Sequence, residues 1–262
     1  MSILAACLRL LRILPPGLAG EAGRAIVLSY LAVSPRVRRE IRRNHARLCG
    51  RPDAGFWLKQ GLRLGQNLAL MSKSGTRGLD KWLDNARLDG ENILEQIMLR
   101  NGRAVVLSLH YGLWELLPET FARRGYRVCV GAGDQRDARL LAEILQLRSQ
   151  HGVRYTDSLT EMRDALKGGS LVGFAVDNTG RGRGAMCDSV WPGFEVLRTP
   201  FVLAQECSAA LVPMLMRKNG RRLTVKIGEP VYSPDEFGIW ARREIAAYPE
   251  DWVFWGKREV KA

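Results

Sequence analysis

Apolar positions follow two different periods along this chain. From about residue 86 they gather into short runs rich in Val, Ile and Leu. These lie at Ala86 to Leu88, Ala104 to Leu109, Arg127 to Gly131, Gly152 to Tyr155, Ser170 to Val176, Ala210 to Met216 and Leu223 to Ile227. Such runs are too short for helices and read as buried strands. Between most of them the period lengthens to that of a helix, at Glu91 to Arg100, Leu113 to Arg124, Ala138 to Gln150, Leu159 to Lys167 and Pro200 to Cys207. The last two runs leave no room for a helix and predict a hairpin turning at Lys218-Asn219-Gly220. The alternation predicts an α/β fold: a single mixed, mostly parallel sheet of about seven strands flanked by helices, with an antiparallel edge.

The amino-terminal region keeps the helical period alone. Ile3, Leu4, Cys7, Leu8, Leu11 and Leu14 share one face and Arg9 and Arg12 the other, and Pro15-Pro16-Gly17 ends the segment. A second apolar stretch, Ala25 to Val33, precedes the cluster Arg36, Arg38, Arg39, Arg42, Arg43 and Arg47. Only Glu21 and Glu40 oppose the arginines of the first fifty residues. Residues 1–50 therefore read as basic amphipathic helices packed on the core and suited to lying on an anionic membrane, and residues 51–262 as the α/β domain. Phe56 to Met71 is a further predicted helix.

Composition sharpens this. The 262 residues carry a net charge of +13 and are 46% hydrophobic, enough for a real core and basic enough to call for an anionic partner. That partner could be a membrane, an acidic protein or nucleic acid. Five scattered cysteines with no CxxC pair argue against a disulfide framework or a zinc site. With His45, His110 and His151 far apart, no metal is expected. No apolar run approaches the ~20 residues that span a bilayer.

Candidate chemistry gathers where the second strand ends. Val105 to Leu109 is followed abruptly by His110, Gly112 and Glu115. In open α/β sheets, working residues sit just past the carboxyl ends of strands. A carboxylate on the first turns of the next helix can accept from one imidazole nitrogen, fix the tautomer and leave the other nitrogen to take a proton. His110 is thus a candidate general base with Glu115 as its partner. Ser108 lies in no GxSxG elbow, so the nucleophile is expected to be a hydroxyl or amine of the substrate. The structural alternative is a hydrogen-bonded histidine at a strand end. Gly131-Ala132-Gly133 lacks the third glycine of a dinucleotide fingerprint. Gly180-Arg181-Gly182-Arg183-Gly184 is a basic loop on the same sheet edge as His110, placed either to grip an anion or simply to meet solvent.

Several ordered blocks resemble one family. His110-Tyr-Gly-Leu-Trp-Glu115 is similar to the HFGNWE block of the bacterial lipid A late acyltransferases (lauroyl/myristoyl acyltransferase-like), within the HxxxxD/E lysophospholipid acyltransferase superfamily. In order follow Arg148 before His151-Gly152-Val153, Val176-Asp177-Asn178, Trp191-Pro192-Gly193, Thr199-Pro200, Pro213, and the ending Tyr248-Pro249-Glu250-Asp251-Trp252-Val253-Phe254-Trp255-Gly256-Lys257-Arg258. Arg43-Asn44 also fits, so the resemblance spans essentially the whole chain.

The resemblance implies a glycerolipid acyltransferase-like fold and transfer of a fatty acyl chain from an acyl carrier protein or coenzyme A thioester to a hydroxyl of a lipid A precursor or related membrane lipid. The place would be the cytoplasmic face of the bacterial inner membrane; members of the family usually begin with a transmembrane helix, whereas Arg9 and Arg12 in the first apolar segment here point to peripheral or monotopic attachment. It implies His110 as base and Glu115 as its partner, with no cofactor. The expected partners are acyl carrier protein, anionic lipids and the lipid acceptor, not nucleic acid. Arg148, Arg181, Arg183 and Arg198, with Thr199, are expected to meet anionic groups of substrate, and Asp177 to bind substrate or hold an arginine. Backbone amides after His110, or a guanidinium, are the candidates for stabilising an oxyanion. Leu113 replaces the asparagine of the HFGNWE block, and Val202 the glycine of the family's Thr-Pro-x-Gly. These departures leave an aminolipid, lysophospholipid or glycolipid open as acceptor. A non-catalytic basic protein that binds membranes or nucleic acid is the reading from another class.

Overall fold

The computed structural model describes residues 3–132, 144, 148, 152–179, 184–220 and 222–256. Four helices come first: α1 (Ile3–Ile13), α2 (Pro16–Ala32), α3 (Pro35–Cys49) and α4 (Phe56–Met71). Pro16 and Pro35 sit in the opening turns of α2 and α3, where a missing N–H costs nothing, and Gly50 closes α3 in the left-handed conformation at φ 73°. Helices α2 and α4 cross at glycines, because a Cβ on Gly23 would run into the Gly65 carbonyl. The buried Lys73 ammonium donates to the carbonyls of Leu11 and Arg12 at 2.7 Å each, and to that of Leu14. This caps the end of α1 and ties it to the body. None of the described helices is long and apolar enough to cross a membrane.

The sheet is assembled from β1 (Arg87–Asp89), β2 (Ala104–Ser108), β3 (Val128–Gly131), β4 (Arg154–Thr156), β5 (Leu171–Ala175), β8 (Ala210–Asn219) and β9 (Arg222–Ile227), in the order β1-β9-β8-β2-β5-β3-β4. All neighbours are parallel except β8 and β9, which form the expected hairpin with Asn219 opposite Arg222. The antiparallel strand β9 is not the outermost one, because β1 adds beyond it in parallel. The fold is thus α/β with a seven-stranded mixed, mostly parallel sheet.

Helices α5 (Arg77–Asp84), α6 (Glu91–Asn101) and α7 (Leu117–Ala122) follow in chain order, then α8 (Leu159–Lys167), α9 (Thr199–Glu206) and α10 (Pro234–Ala247). The helix expected from Leu113 to Arg124 starts as a 3-10 turn, Trp114–Leu116, and becomes α7 only where Pro118 can sit in its first turn. Of the helix expected at Ala138 to Gln150, only Ile144 and Arg148 are among the described residues. A separate hairpin, β6 (Gly184–Met186) with β7 (Glu195–Leu197), was not legible in the apolar pattern.

The sheet divides the interior in two. Val105, Leu107 and Leu109 of the β2 segment face a core with Trp191, Phe194, Phe237, Trp252 and Trp255. Ala104 and Val106 face Leu83, Leu94, Leu116 and Phe121 on the other side.

Candidate active site

The chain turns sharply after β2. Gly112 has φ 59°, and a Cβ there would collide with the Met216 carbonyl, so the turn is pressed against β8 and requires glycine. By strand alternation His110 follows Val106 and Ser108 onto one face of the sheet. These three line a cleft of about 630 Å³, its open mouth included, together with Leu171, Gly173 and Ala175 of β5, Val128 and Val130 of β3, Tyr155, and Leu117, Pro118 and Phe121 from the overlying turn and α7. The register arranges the floor in tiers: Ser108 beside Ala175, then Val106 beside Gly173 and Val130, then Leu171 beside Val128. Small residues stand near the mouth and larger apolar ones at the far end.

The imidazole's partner is not the one expected. Nδ1 of His110 lies 2.7 Å from Oδ1 of Asp177, and the His110 backbone N–H donates to both Asp177 oxygens at 3.1 and 3.0 Å. Asp177 follows β5, the strand beside β2, and is fully buried. Glu115 also lines the cleft, but its carboxylate accepts two hydrogen bonds from the Arg148 guanidinium, at 2.9 and 2.8 Å, and one from the Trp114 indole at 3.2 Å. The 3-10 turn carries Glu115 to the arginine while the aspartate sits one strand away from the ring. The orienting bond assigned to Glu115 from spacing is therefore made by Asp177.

Electrostatics follow from this arrangement. Burial alone would pull the His110 pKa down. The charge and hydrogen bond of Asp177, with the Glu115 charge behind them, outweigh burial and the nearby Arg148, so the pKa is raised above its ordinary 6.5. Burial pushes Asp177 upward, but the imidazole, the Trp252 indole and the His110 amide hold it below the usual carboxylate range. With Nδ1 engaged, Nε2 is the nitrogen left to exchange a proton in the cleft.

The remaining expected residues separate. Arg148 is in the cleft, stacked over the Tyr155 ring at 4.9 Å. Arg198 and Thr199 instead line a groove with Leu159 and Arg163, along α9. Arg181 and Arg183 lie outside the described residues. The amides of Tyr111, Gly112 and Leu113 donate to the carbonyls of Leu109, Asp251 and Met216, at 2.7, 2.8 and 2.9 Å, so these three are already engaged.

Residues that spacing did not single out come from the carboxyl-terminal segment. The Trp252 indole donates to Oδ2 of Asp177 at 2.8 Å, the Phe254 ring lies 4.7 Å from the His110 ring, and the Val253 amide donates to the His110 carbonyl at 2.9 Å. Their sequence signal was the dense aromatic block Trp252-Val253-Phe254-Trp255, which carries no role until the fold brings it to the strand end.

The family model for bacterial lipid A biosynthesis acyltransferases matches residues 1–258. The chain belongs to that family. It is therefore an acyltransferase, and the His110 cleft is its candidate active site. Among solved structures it is similar to the 1-acyl-sn-glycerophosphate (LPA) acyltransferase, PlsC, from Thermotoga maritima. The identity is 14%, with 90% of this chain and 96% of that chain covered and a TM-score of 0.39. No curated protein sequence matches.

Proposed function

We propose that this acyltransferase moves a fatty acyl group from a thioester on acyl carrier protein or coenzyme A to a hydroxyl of a lipid A precursor or related membrane lipid, using His110 as general base. The observation that carries the reading is the cleft itself: a buried-carboxylate-paired histidine at its mouth and an apolar floor running back between β2, β3 and β5. Its wall, formed by Val106, Val128, Val130, Leu171 and Phe121, suits a hydrocarbon chain laid along the strands. The acyl chain enters along the tiers, which leaves the thioester carbonyl beside His110.

The acceptor hydroxyl gives its proton to Nε2, and its oxygen forms a bond to the thioester carbon. Negative charge moves to the carbonyl oxygen. The Arg148 guanidinium, already held in the cleft by Glu115, supports stabilisation of that oxyanion, and the engagement of the Tyr111, Gly112 and Leu113 amides disfavours them for the task. Collapse breaks the carbon–sulfur bond, and the departing thiolate takes the proton from the imidazolium. Asp177 fixes the ring and offsets its transient positive charge.

Attachment is proposed to be peripheral, at the cytoplasmic face of the inner membrane, through the amino-terminal helices. Leu10, Ile13, Leu18, Tyr30 and Val33 are exposed there among arginines, with Ile13 and Val33 at 79% and 80%. Apolar side chains dipping below anionic headgroups while guanidinium groups stay at their level is the pattern of interfacial helices.

The test is transfer of labelled acyl chain from acyl carrier protein to a lipid A precursor in vesicles, with wild type and His110→Asn compared. Acylated lipid from wild type and essentially none from the variant is expected. Free fatty acid as the main product, or full activity of a folded variant, overturns the reading.

A further inference from the structure

From the way the carboxyl-terminal segment is fastened, we infer that Trp252 is a positioning residue for catalysis: its indole N–H holds Asp177 in the orientation that Asp177 imposes on His110. The inference rests on the reading of His110 as base, and extends the proton-handling set to a residue 142 positions further along the chain than His110.

Asp177 has one oxygen against the imidazole Nδ1 at 2.7 Å, while the other accepts from Trp252 at 2.8 Å. The His110 amide reaches both carboxylate oxygens from the strand side, at 3.1 and 3.0 Å, and the indole adds a second donor to Oδ2, away from the imidazole. That donor opposes rotation about the Cβ–Cγ bond that would weaken the Nδ1 contact. The indole is suited to the work because it can only donate, so it never competes for the imidazole proton.

Trp252 is itself held from several directions. It packs against Trp191, Phe194 and Trp255, with ring centroids 5.3, 5.8 and 4.9 Å away. The preceding Asp251, 2% exposed, is gripped by Arg63 at 2.6 and 3.1 Å and by Asn67 at 3.1 Å, both from α4. Gln60 of α4 donates to the Trp252 carbonyl at 3.2 Å, and Asn44 of α3 to that of Trp255 at 2.8 Å. The segment is a strap laid across the strand end and buckled to helices α3 and α4. Three of the side chains fastening it, Asn44, Gln60 and Asn67, are buried in those helices, and Arg63 is half-buried.

The decisive measurement is the pKa of His110 itself, read by NMR titration of ring-labelled histidine, which is simple with three histidines in the chain. The charged groups that bear on the ring are Asp177 after β5, Glu115 on the 3-10 turn and Arg148 over Tyr155. Trp252→Phe keeps the aromatic packing and removes the donor. The Asp177 carboxylate, less neutralised, should draw the imidazole proton more strongly, so the His110 pKa rises by roughly one unit and kcat at neutral pH falls about tenfold. Trp255→Phe is the control, since it removes an indole donor to the Pro249 carbonyl in the same cluster. It should leave the His110 pKa where it was, whereas a merely structural role predicts the same behaviour from both.

On the unaltered protein, the Trp252 indole N–H resonance should titrate with the His110 midpoint, which tests the inference even if Trp252→Phe fails to fold. A His110 pKa unmoved by Trp252→Phe, or an indole resonance blind to it, overturns the inference. A pKa that moves while the activity profile does not leaves Trp252 as the holder of Asp177 and removes His110 as the base, so the two failures are distinguishable.

Discussion

The two faces of strand β2 have opposite designs. Val105, Leu107 and Leu109 are sealed against tryptophans and phenylalanines, and each is fully buried. Val106, Ser108 and His110 look into a cleft, opposite a glycine and an alanine on β5. Because side chains alternate across a strand, one six-residue run, Val105 to His110, serves both purposes. The sealed face supplies rigidity and, through Trp252, a donor for Asp177. The open face supplies space and carries His110, the proposed base.

The sharpest way to break this contrast is on the open face. His110→Ala should lower acyl transfer by about 10⁴-fold while the fold survives, since the ring packs at a cleft mouth; circular dichroism and a transfer assay together check it. Asp177→Asn should follow with a loss of about a thousandfold in kcat. It also carries a sign in pH. Asp177 raises the His110 pKa, so in wild type the rate climbs with pH through a limb above 6.5, and in the variant that limb shifts to lower pH.

The same pair predicts a stability change. Stabilisation from the raised imidazole is fully present below pH ~6.5 and is lost as pH rises through its folded value. That from the lowered Asp177 is present above pH ~3.9 and is lost on acidification through its folded value. Thermal unfolding of wild type and Asp177→Asn at a series of pH values reads both.

On the sealed face the effect should change in kind. Phe237→Ala removes a fully buried ring and should cost about 3–5 kcal/mol of stability, lowering Tm by roughly 10 °C, while kcat of the folded fraction changes little.

The smallest predicted effect lies at Gly173. A glycine in mid-strand normally weakens a sheet, yet a Cβ here would meet nothing within 4 Å, and its place is in the cleft floor between Val106 and Val130. Gly173→Leu should fill the far half of the cleft, shifting preference toward shorter acyl donors by about tenfold with little loss of stability; competition between donors of different length measures it.

Much of this architecture was legible beforehand because burial leaves its period in the sequence. The strands of the main sheet lie within a residue or two of the apolar runs, except that β8 extends three residues further, to Asn219. The bounds of α4 and α8 coincide with their periodic stretches. The β6–β7 hairpin is not legible because three-residue strands carry too little alternation, α5 because its eight residues span barely two turns, and α10 because its mixed charge weakens the stripe. The candidate site was half legible. His110 and the run before it stand out at once, but Glu115 stands out through its closeness in sequence and the HFGNWE resemblance, and Asp177 reads as a substrate residue because nothing local ties it to an imidazole 67 positions earlier.

That division has a physical origin. The sequence alone determined which segments are strands, that His110 follows one of them, and that α1 and α3 are basic and amphipathic, since each depends on neighbours within a turn or a strand. Only tertiary structure decided that β5 lies beside β2, that the Glu115 carboxylate goes to Arg148, and that Trp252 reaches Asp177 from the far end of the chain. Those pairings are chosen by which buried charges can be satisfied together once the sheet has closed around them.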